Sequence, residues 1–320
     1  MFHFDRGLKL TAIDMAVDFR RRQPRGFISH AHADHMAPHE MAYCTPVTGR
    51  LYRHRQGKHR PLVEMPFGKT LEINDFRLTT HPAGHVFGSA MLLAETGTRS
   101  LLYTGDFKLG PSATSETCVP PHAEVLVMES TWGDPQYRMP PRQTVIQQLL
   151  DRVHDAFKSN RTPVIHAYVL GKAQEVTKLL TTAGIPVLQH PLAYEISCIY
   201  RDAGCDLGDF KNYPGAPLPG HAIIAPPRMQ KSFHLANISR STSISVTGWG
   251  VDQQASRRWS SDHVVPLSDH ADFDQLLETI EIVDPDMIYC THGPHSFADH
   301  VRATGRRVAI LGQKEQLSLF

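Results

Sequence analysis

At 320 residues the chain is long for a single hydrophobic core; it suits two domains, or one domain carrying a large insertion. With 41% hydrophobic and 20% charged residues it reads as an ordinary globular protein, which excludes a low-complexity or disordered chain. The formal net charge of +1 excludes a global positive field, so nucleic-acid binding would need a local basic patch; Arg20, Arg21, Arg22 and Arg25 form the densest basic run. Five scattered cysteines without a CxxC pair fit a reducing compartment and argue against a disulfide framework or a cysteine zinc site. The opening MFHFDRGLKL has no signal-peptide apolar core and no stretch reaches membrane-span length, so a cytoplasmic setting without a membrane is expected. Histidine is the outlier at 20 residues.

In chain order, strand-sized apolar runs come first: Leu8 to Ile13, Gly26 to Ser29, Leu71 to Thr79, Ala90 to Ala94, Leu101 to Thr104 and Val125 to Met128. From about Pro141 the period becomes helical, with Val145, Leu149, Leu150, Val153 and Phe157 on one face. Strands and helices then alternate: a strand at Pro163 to Ala167, a helix over 171–183, a strand at Ile185 to Leu188 and a helix near 193–201. That βα pattern predicts a parallel sheet covered by helices. Tyr213 to Gly220 reads as a surface loop, and strands return at Ala222 to Ala225 and Ser243 to Thr247. A helix near 272–282, a strand at Met287 to Cys290, a helix near 296–304 and a strand at Arg307 to Leu311 complete the series.

The segment Phe27-Ile28-Ser29-His30-Ala31-His32-Ala33-Asp34-His35 is the strongest signal. An apolar strand ends and delivers His30, His32, Asp34 and His35 together. Alternate residues of an extended segment share a face, so His30 and His32 can bind one ion, while Asp34 and His35 can turn toward a second. Imidazole nitrogen and carboxylate oxygen suit zinc, with manganese or iron as alternatives. Further donors lie at strand ends: His85 in His81-Pro82-Ala83-Gly84-His85, Asp106 after Leu101-Leu102-Tyr103-Thr104-Gly105, and His292 after Met287-Ile288-Tyr289-Cys290-Thr291. Singly, a strand-end aspartate is more often a turn former.

His30-x-His32-x-Asp34-His35, followed by His85, Asp106 and His292, resembles the metal-binding motifs of the metallo-β-lactamase superfamily. The resemblance implies two divalent ions, Zn²⁺ first and Mn²⁺ as an alternative. One is held by His30, His32 and His85, the other by Asp34, His35 and His292, with Asp106 bridging. Asp14, ending Leu10-Thr11-Ala12-Ile13, is the candidate for the family's first acidic, supporting position, and Asp18 is an alternative. Two ions about 3.5–4 Å apart suit phosphodiester cleavage, because a hydroxide between them is available near neutral pH and the cations offset transition-state charge. Asp34 would orient that nucleophile.

Three further stretches, Glu129-Ser130-Thr131-Trp132-Gly133, Leu267-Ser268-Asp269-His270-Ala271-Asp272-Phe273 and Thr291-His292-Gly293, resemble the additional motifs of the β-CASP nucleases. The resemblance implies Glu129 orienting His270 and His270 serving the scissile phosphate or leaving oxygen. Ser130, Thr131 and Ser268 are candidates for substrate contact, although Ser268 and Asp269 equally suit helix capping. Leu170-Gly171-Lys172-Ala173-Gln174-Glu175 resembles the family's GRAQE segment with Lys172 in place of arginine, a helix start whose cation could face a phosphate. The implied fold is an α/β, αββα metallo-β-lactamase sandwich with an inserted α/β β-CASP domain of parallel-sheet type. Its expected boundaries are 1–134 and 263–311 for the sandwich, 135–262 for the insertion and 312–320 for a tail.

LGKAQE, Thr247-Gly248-Trp249 and LSDHADF resemble most the bacterial ligase-associated DNA exonucleases, which implies DNA repair, DNA as substrate and a ligase/helicase repair set as partners. Gln316-Leu317-Ser318-Leu319-Phe320 resembles the peptide by which such proteins dock on the sliding clamp; the competing reading is apolar packing of the last residues onto the domain. Other readings stay open: an RNA-processing exo- or endonuclease of the same fold, and a non-catalytic nucleic-acid-binding scaffold. A small-molecule hydrolase is disfavoured by Glu129, His270 and the insertion.

Overall fold

A computed structural model describes residues 1–4, 7–97, 99–227, 238–252 and 259–312. The chain forms two compact units, one of Met1–Pro111, Ser115–Gln136 and His270–Phe320, the other of Ser112–Thr114 and Tyr137–Asp269.

The first unit is built on two sheets. The first sheet runs in sequence order through β1 (Phe2–Phe4), β2 (Leu8–Leu10), β3 (Met15–Val17), β4 (Arg25–Phe27), β5 (Met41–Cys44) and β6 (Leu62–Glu64). Its first two pairings are antiparallel and the remainder parallel. The second contains β7 (Thr70–Ile73), β8 (Phe76–Pro82), β9 (Ala90–Thr96), β10 (Arg99–Tyr103), β11 (Val125–Glu129), β18 (Met287–Thr291) and β19 (Val308–Ile310), in the order β19-β18-β11-β10-β9-β8-β7.

Side-chain alternation along these strands builds the layers. Leu101, Tyr103 and Val127 point toward the other sheet and pack with Leu8, Leu10, Met15, Val17 and Phe27. Leu102, Leu126 and Met128 point the opposite way, onto Leu276, Ile280 and Val283 of α5 (Phe273–Val283) and Phe297 and Val301 of α6 (His295–Ala303). On the far side α1 (Pro46–Gln56) lies against β5 and β6 and buries Leu51 and Tyr52. The layering is αββα, as expected.

The second unit carries a sheet of β12 (Thr162–His166), β13 (Val187–Gln189), β14 (Phe210–Asn212), β15 (Ala222–Ala225), β16 (Ser241–Val246) and β17 (His263–Val265), in the order β14-β13-β15-β12-β16-β17. Every pairing in it is parallel. Helix α2 (Arg142–Lys158) leads into β12, and α3 (Lys172–Thr182) and α4 (Pro191–Asp202) supply the crossovers from β12 to β13 and from β13 to β14. Val145, Leu149 and Val153 of α2 pack with Ile165, Ile244 and Val246 of the strands, the burial that the helical spacing anticipates.

Several sequence expectations shift. The run Leu71 to Thr79 is a hairpin, not one strand: Ile73 pairs with Phe76 across a two-residue loop in which Asn74 takes a left-handed φ of 51°. Leu8 to Ile13 is a three-residue strand followed by a 3₁₀ turn over Thr11–Ile13. Helix α1 gave no apolar period, because Arg50, Arg53, His54 and Arg55 crowd it; its only signals were the capping Thr45 and Pro46.

Leu276 of α5 is fully buried in the core of the first unit. Leu276→Ala is expected to destabilise this unit by about 2–5 kcal/mol, read as a lower denaturation midpoint in urea.

Candidate metal centre

The donors reach one place because strands end there. His30 follows β4, and the chain then turns, the His35 amide donating to the His32 carbonyl at 3.1 Å. His85 sits in the β8–β9 connection, where Gly84 at φ +75° lies so close to the Lys108 carbonyl that a Cβ would collide with it. Asp106 follows β10 through Gly105, at φ +57° and packed against the Ser29 side chain, so only glycine lets this strand end approach the first histidine. His292 leaves β18 with a left-handed φ of 48°.

His30 Nε2 and His32 Nδ1 lie 3.0 Å apart, and His85 Nε2 is 3.2 Å from the same His32 Nδ1. Asp106 Oδ2 lies 3.4 Å from His30 Nε2, 3.3 Å from His35 Nε2 and 3.9 Å from His85 Nε2. Asp34 Oδ2 is 3.8 Å from His35 Nε2, and the His292 ring centroid is 5.6 Å from that of His35. A tetrahedral zinc with bonds of about 2.0–2.1 Å to nitrogen spaces its donors about 3.3 Å apart, so the His30, His32, His85 and Asp106 atoms fit such an ion. The donor set is nitrogen and oxygen, right for zinc in kind as well as spacing.

Electrostatics separate the two buried histidines that flank Asp106. Burial pushes His30 well below the ordinary imidazole value; His35 adds to this, Asp106 opposes it, and His32 and His85 lower it further. At His35 burial acts the same way, but Asp106 and Asp18 outweigh it and hold the group well above its ordinary value. Burial penalises the charged Asp106, yet His35, His270 and His30 draw its carboxyl well below the usual range. The cluster therefore collects negative charge on one oxygen among imidazoles.

Two carboxylates outside the cluster orient it. Asp18 Oδ1 accepts from the Ser29 amide at 2.8 Å, and Oδ2 accepts from Ser29 Oγ at 2.5 Å and Tyr103 OH at 2.9 Å. Its Oδ2 also lies 2.8 Å from His35 Nδ1, which places that ring's proton on Nδ1 and turns Nε2 inward as a lone-pair donor. Ser29 Oγ in turn sits 3.0 Å from His30 Nδ1. Glu129, at the end of β11, is 1% exposed; its Oε1 accepts from the Phe107 amide at 3.0 Å and lies 2.8 Å from His270 Nδ1, while Thr131 Oγ1 donates to Oε2. The His270 ring lies 4.6 Å from that of His85, and the Ala271 amide bonds the Phe107 carbonyl at 2.7 Å.

Asp14 is not brought to this place. It caps the 3₁₀ turn with φ 43°, and its side chain is 67% exposed and pairs with Lys9 at 3.4 Å. The short strand β3, invisible as an apolar run, carries the chain onward so that Asp18 and not Asp14 stands at the strand end facing Ser29. Ser29 and Tyr103 were missed; a hydroxyl directly before the first histidine was the signal for one, and Tyr103 carried none beyond being two residues before Gly105.

The candidates for substrate contact fare differently. Ser130 is 1% exposed and donates to the Thr291 carbonyl at 3.1 Å, and Thr131 also reaches the His292 carbonyl at 3.3 Å, so both tie β11 to the His292 turn. Ser268 is buried within the second unit. Lys172 does not present its cation to solvent: its side chain is 1% exposed and its Nζ lies 3.3 Å from Asp269 and 3.5 Å from Glu175, which Arg142 also binds at 2.7 Å. Opposite charges inside the unit hold it, where the sequence suggested a phosphate. The segment Gln316 to Phe320 lies outside the described residues.

An αββα sandwich with imidazole and carboxylate donors gathered at its strand ends is the metallo-β-lactamase fold with a candidate metal centre. Residues 262–311 match the family described as RMMBL, the Zn-dependent metallo-hydrolase RNA specificity domain. Over 319 residues the chain is 37% identical to a probable DNA ligase of Opitutus terrae, covering 99% of this chain and 31% of that protein. It is 36% identical over 137 residues to the transcription termination factor FttA of Pyrococcus horikoshii, covering 41% of this chain and 21% of that one. It is 33% identical over 162 residues to the 5′ exonuclease Apollo of Danio rerio, covering 46% and 28%. The chain thus spans about a third or less of the length of these relatives. It belongs to the β-CASP nuclease family of the metallo-β-lactamase fold. Among the described residues no helix is long and apolar enough to cross a membrane.

Because Asp18 fixes the His35 tautomer, Asp18→Ala is expected to weaken zinc binding about 10–100-fold, measured by competition with a chromophoric chelator. Asp14→Ala should leave that affinity at the wild-type value.

Proposed function

We propose that the protein is a two-metal nuclease that hydrolyses DNA phosphodiesters from an end, as a repair exonuclease. In this reading residues 1–134 and 263–311 form the catalytic sandwich and 135–262 the inserted domain. The observation that carries the proposal is the single Asp106 oxygen facing His30, His35 and His85 at 3.4, 3.3 and 3.9 Å, a position from which it could serve histidines of both proposed ligand sets. His30, His32 and His85 would hold one ion, and Asp34, His35 and His292 the other.

When bound, such ions supply Lewis acidity: they make water nucleophilic near neutral pH and offset the charge that grows on the phosphoryl oxygens. The chain's own groups do the rest. Asp34, with its carboxylate 3.8 Å from His35 Nε2, orients the attacking water by accepting its proton in a hydrogen bond. Glu129 holds His270 through Nδ1, so that His270 Nε2 is the atom that gives a proton to the leaving oxygen.

Similarity along 99% of this chain to part of a protein named as a probable DNA ligase supports DNA as substrate and a ligase-containing repair set as partners. The name of Apollo, a 5′ exonuclease, supports attack from an end. An RNA-processing nuclease is the second reading, favoured by the match of residues 262–311 to a domain described by RNA specificity. Both readings attack the same group, so the cluster serves either. Zinc is the proposed metal and manganese the alternative.

Digestion of end-labelled single-stranded DNA and RNA side by side should show faster loss of DNA; RNA cleaved at the higher rate would replace the first reading by the second. His32→Ala is expected to lower the rate about a hundredfold or more, together with the zinc content measured by atomic emission. The segment Gln316 to Phe320 is proposed to dock on the sliding clamp, Gln316 as polar anchor and Leu319 and Phe320 as apolar ones. Removing these five residues should abolish clamp binding in a calorimetric titration, and equal affinities would end that part of the proposal.

A further inference from the structure

Beside the cluster the first unit holds a cleft of about 660 Å³. It is lined by Asp34 and His292 of the proposed mechanism, by Lys9, Arg20 and Arg21, to which that mechanism gives no part, and by apolar side chains that include Phe19. Its size falls in the range of ligand sites, about 300–1,000 Å³, which is more than a phosphate needs by itself.

The charges of this cleft are set for an anion. Arg20 spends one hydrogen bond on the Asp34 carbonyl, at 3.0 Å from Nε, and its Nη2 lies 3.7 Å from the Asp34 carboxylate. Guanidinium has five N–H donors in a planar fork, and the Arg20 side chain is 65% exposed, so donors remain for a ligand. Arg21 is exposed and makes no ion pair among the described residues. Lys9 stands 5.7 Å over the Phe19 ring, and among the described residues its ionic partner is the largely exposed Asp14. The acid deeper in the cleft, Asp18, is already taken up by Ser29, Tyr103 and His35. Cationic groups on one wall, an apolar ring beside them and a metal-binding edge at the end match a nucleotide with its phosphate.

We infer that this cleft seats the nucleotide next to the scissile phosphate, Arg20 and Arg21 gripping its phosphodiester and Lys9 with Phe19 flanking its sugar and base. This rests on the nuclease reading and adds to it the surface that holds the strand in register with the cluster. The arginine run is then the local basic patch that a chain of net charge +1 requires for a polyanionic substrate. Arg20 has a double part, because the guanidinium that grips phosphate also braces the backbone of Asp34.

Zinc-loaded protein is titrated with a fluorescein-labelled 12-nucleotide phosphorothioate DNA, whose linkages resist cleavage, at several KCl concentrations. Each phosphate contact on a single strand contributes about 0.7 to the slope of log affinity against log salt. Arg21→Ala is expected to lower the slope by about 0.7 and to raise Kd about three- to tenfold at low salt. Lys9→Ala combined with Arg21→Ala should lower the slope by about 1.4, and Arg21→Lys should restore the wild-type slope. A purely structural part for Arg21 would not move a salt slope. Equal slopes and affinities for Arg21→Ala and wild type, with wild type still cutting the unmodified strand, would overturn the cleft and leave the nuclease standing. Wild-type protein that fails to cut any unmodified strand would remove the nuclease reading and the cleft with it.

Discussion

Much of the molecule is arranged around one costly act, the burial of Asp106 among imidazoles. A carboxylate taken out of water needs compensating charge or donors, and here one oxygen faces His30, His35 and His85 in a space almost closed to solvent. Imidazole nitrogens 3.0 and 3.2 Å apart satisfy each other poorly, since His32 Nδ1 meets two neighbours with a single proton position. Donors packed this way make sense as ligands. Protonation of His35 partly neutralises Asp106, and binding a cation would replace that proton. Metal affinity and acidity are therefore linked in this cluster.

Rigidity comes from the next layer outward. Asp18 and Glu129 repeat one device: a buried carboxylate that accepts a hydrogen bond from Nδ1–H of a histidine and turns its Nε2 inward. Each offsets its own burial with several donors, Ser29 and Tyr103 in one case, the Phe107 amide and Thr131 in the other. Asp18 follows the first sheet and Tyr103 belongs to the second, so the same hydrogen bonds that aim His35 also clamp the two layers together at their catalytic edge. Thr131 performs a similar service between β11 and the His292 turn.

The sequence displayed the ligand cluster well because metal ligation is chemically demanding and places its residues at strand ends, where apolar runs stop abruptly. It displayed the second unit well because strands buried on both faces are continuous apolar runs, and the helices between them have a clear period. What stayed hidden had short-range or long-range causes. Strand β3 is three residues long, so the sequence left Asp14 and Asp18 as alternatives for the strand end. The β7–β8 hairpin turned on two residues, Asn74 and Asp75, that an apolar window averages away. The burial of Lys172 stayed hidden because, besides Glu175 in its own helix, the pairing depends on Asp269 and on Arg142 bound to Glu175, which lie in other elements and cannot be paired from a motif.

That last case has a consequence for specificity. In Leu170-Gly171-Lys172-Ala173-Gln174-Glu175 the Gln174 side chain accepts from the Gly171 amide and donates to Val169, Ala193 and Ser197, while Lys172 and Glu175 are ion-paired and buried. A motif that resembles a nucleic-acid signature is here the frame of its own unit, with Gln174 engaged in hydrogen bonds and the buried Lys172 Nζ held by ion pairs to Glu175 and Asp269. Buried, satisfied groups cannot distinguish one strand from another without first breaking their present bonds, at a cost of about 1–3 kcal/mol for each group left unpaired. In the proposed nuclease, strand contact then falls to side chains that keep donors in reserve, among them Arg20 and Arg21 beside the cluster.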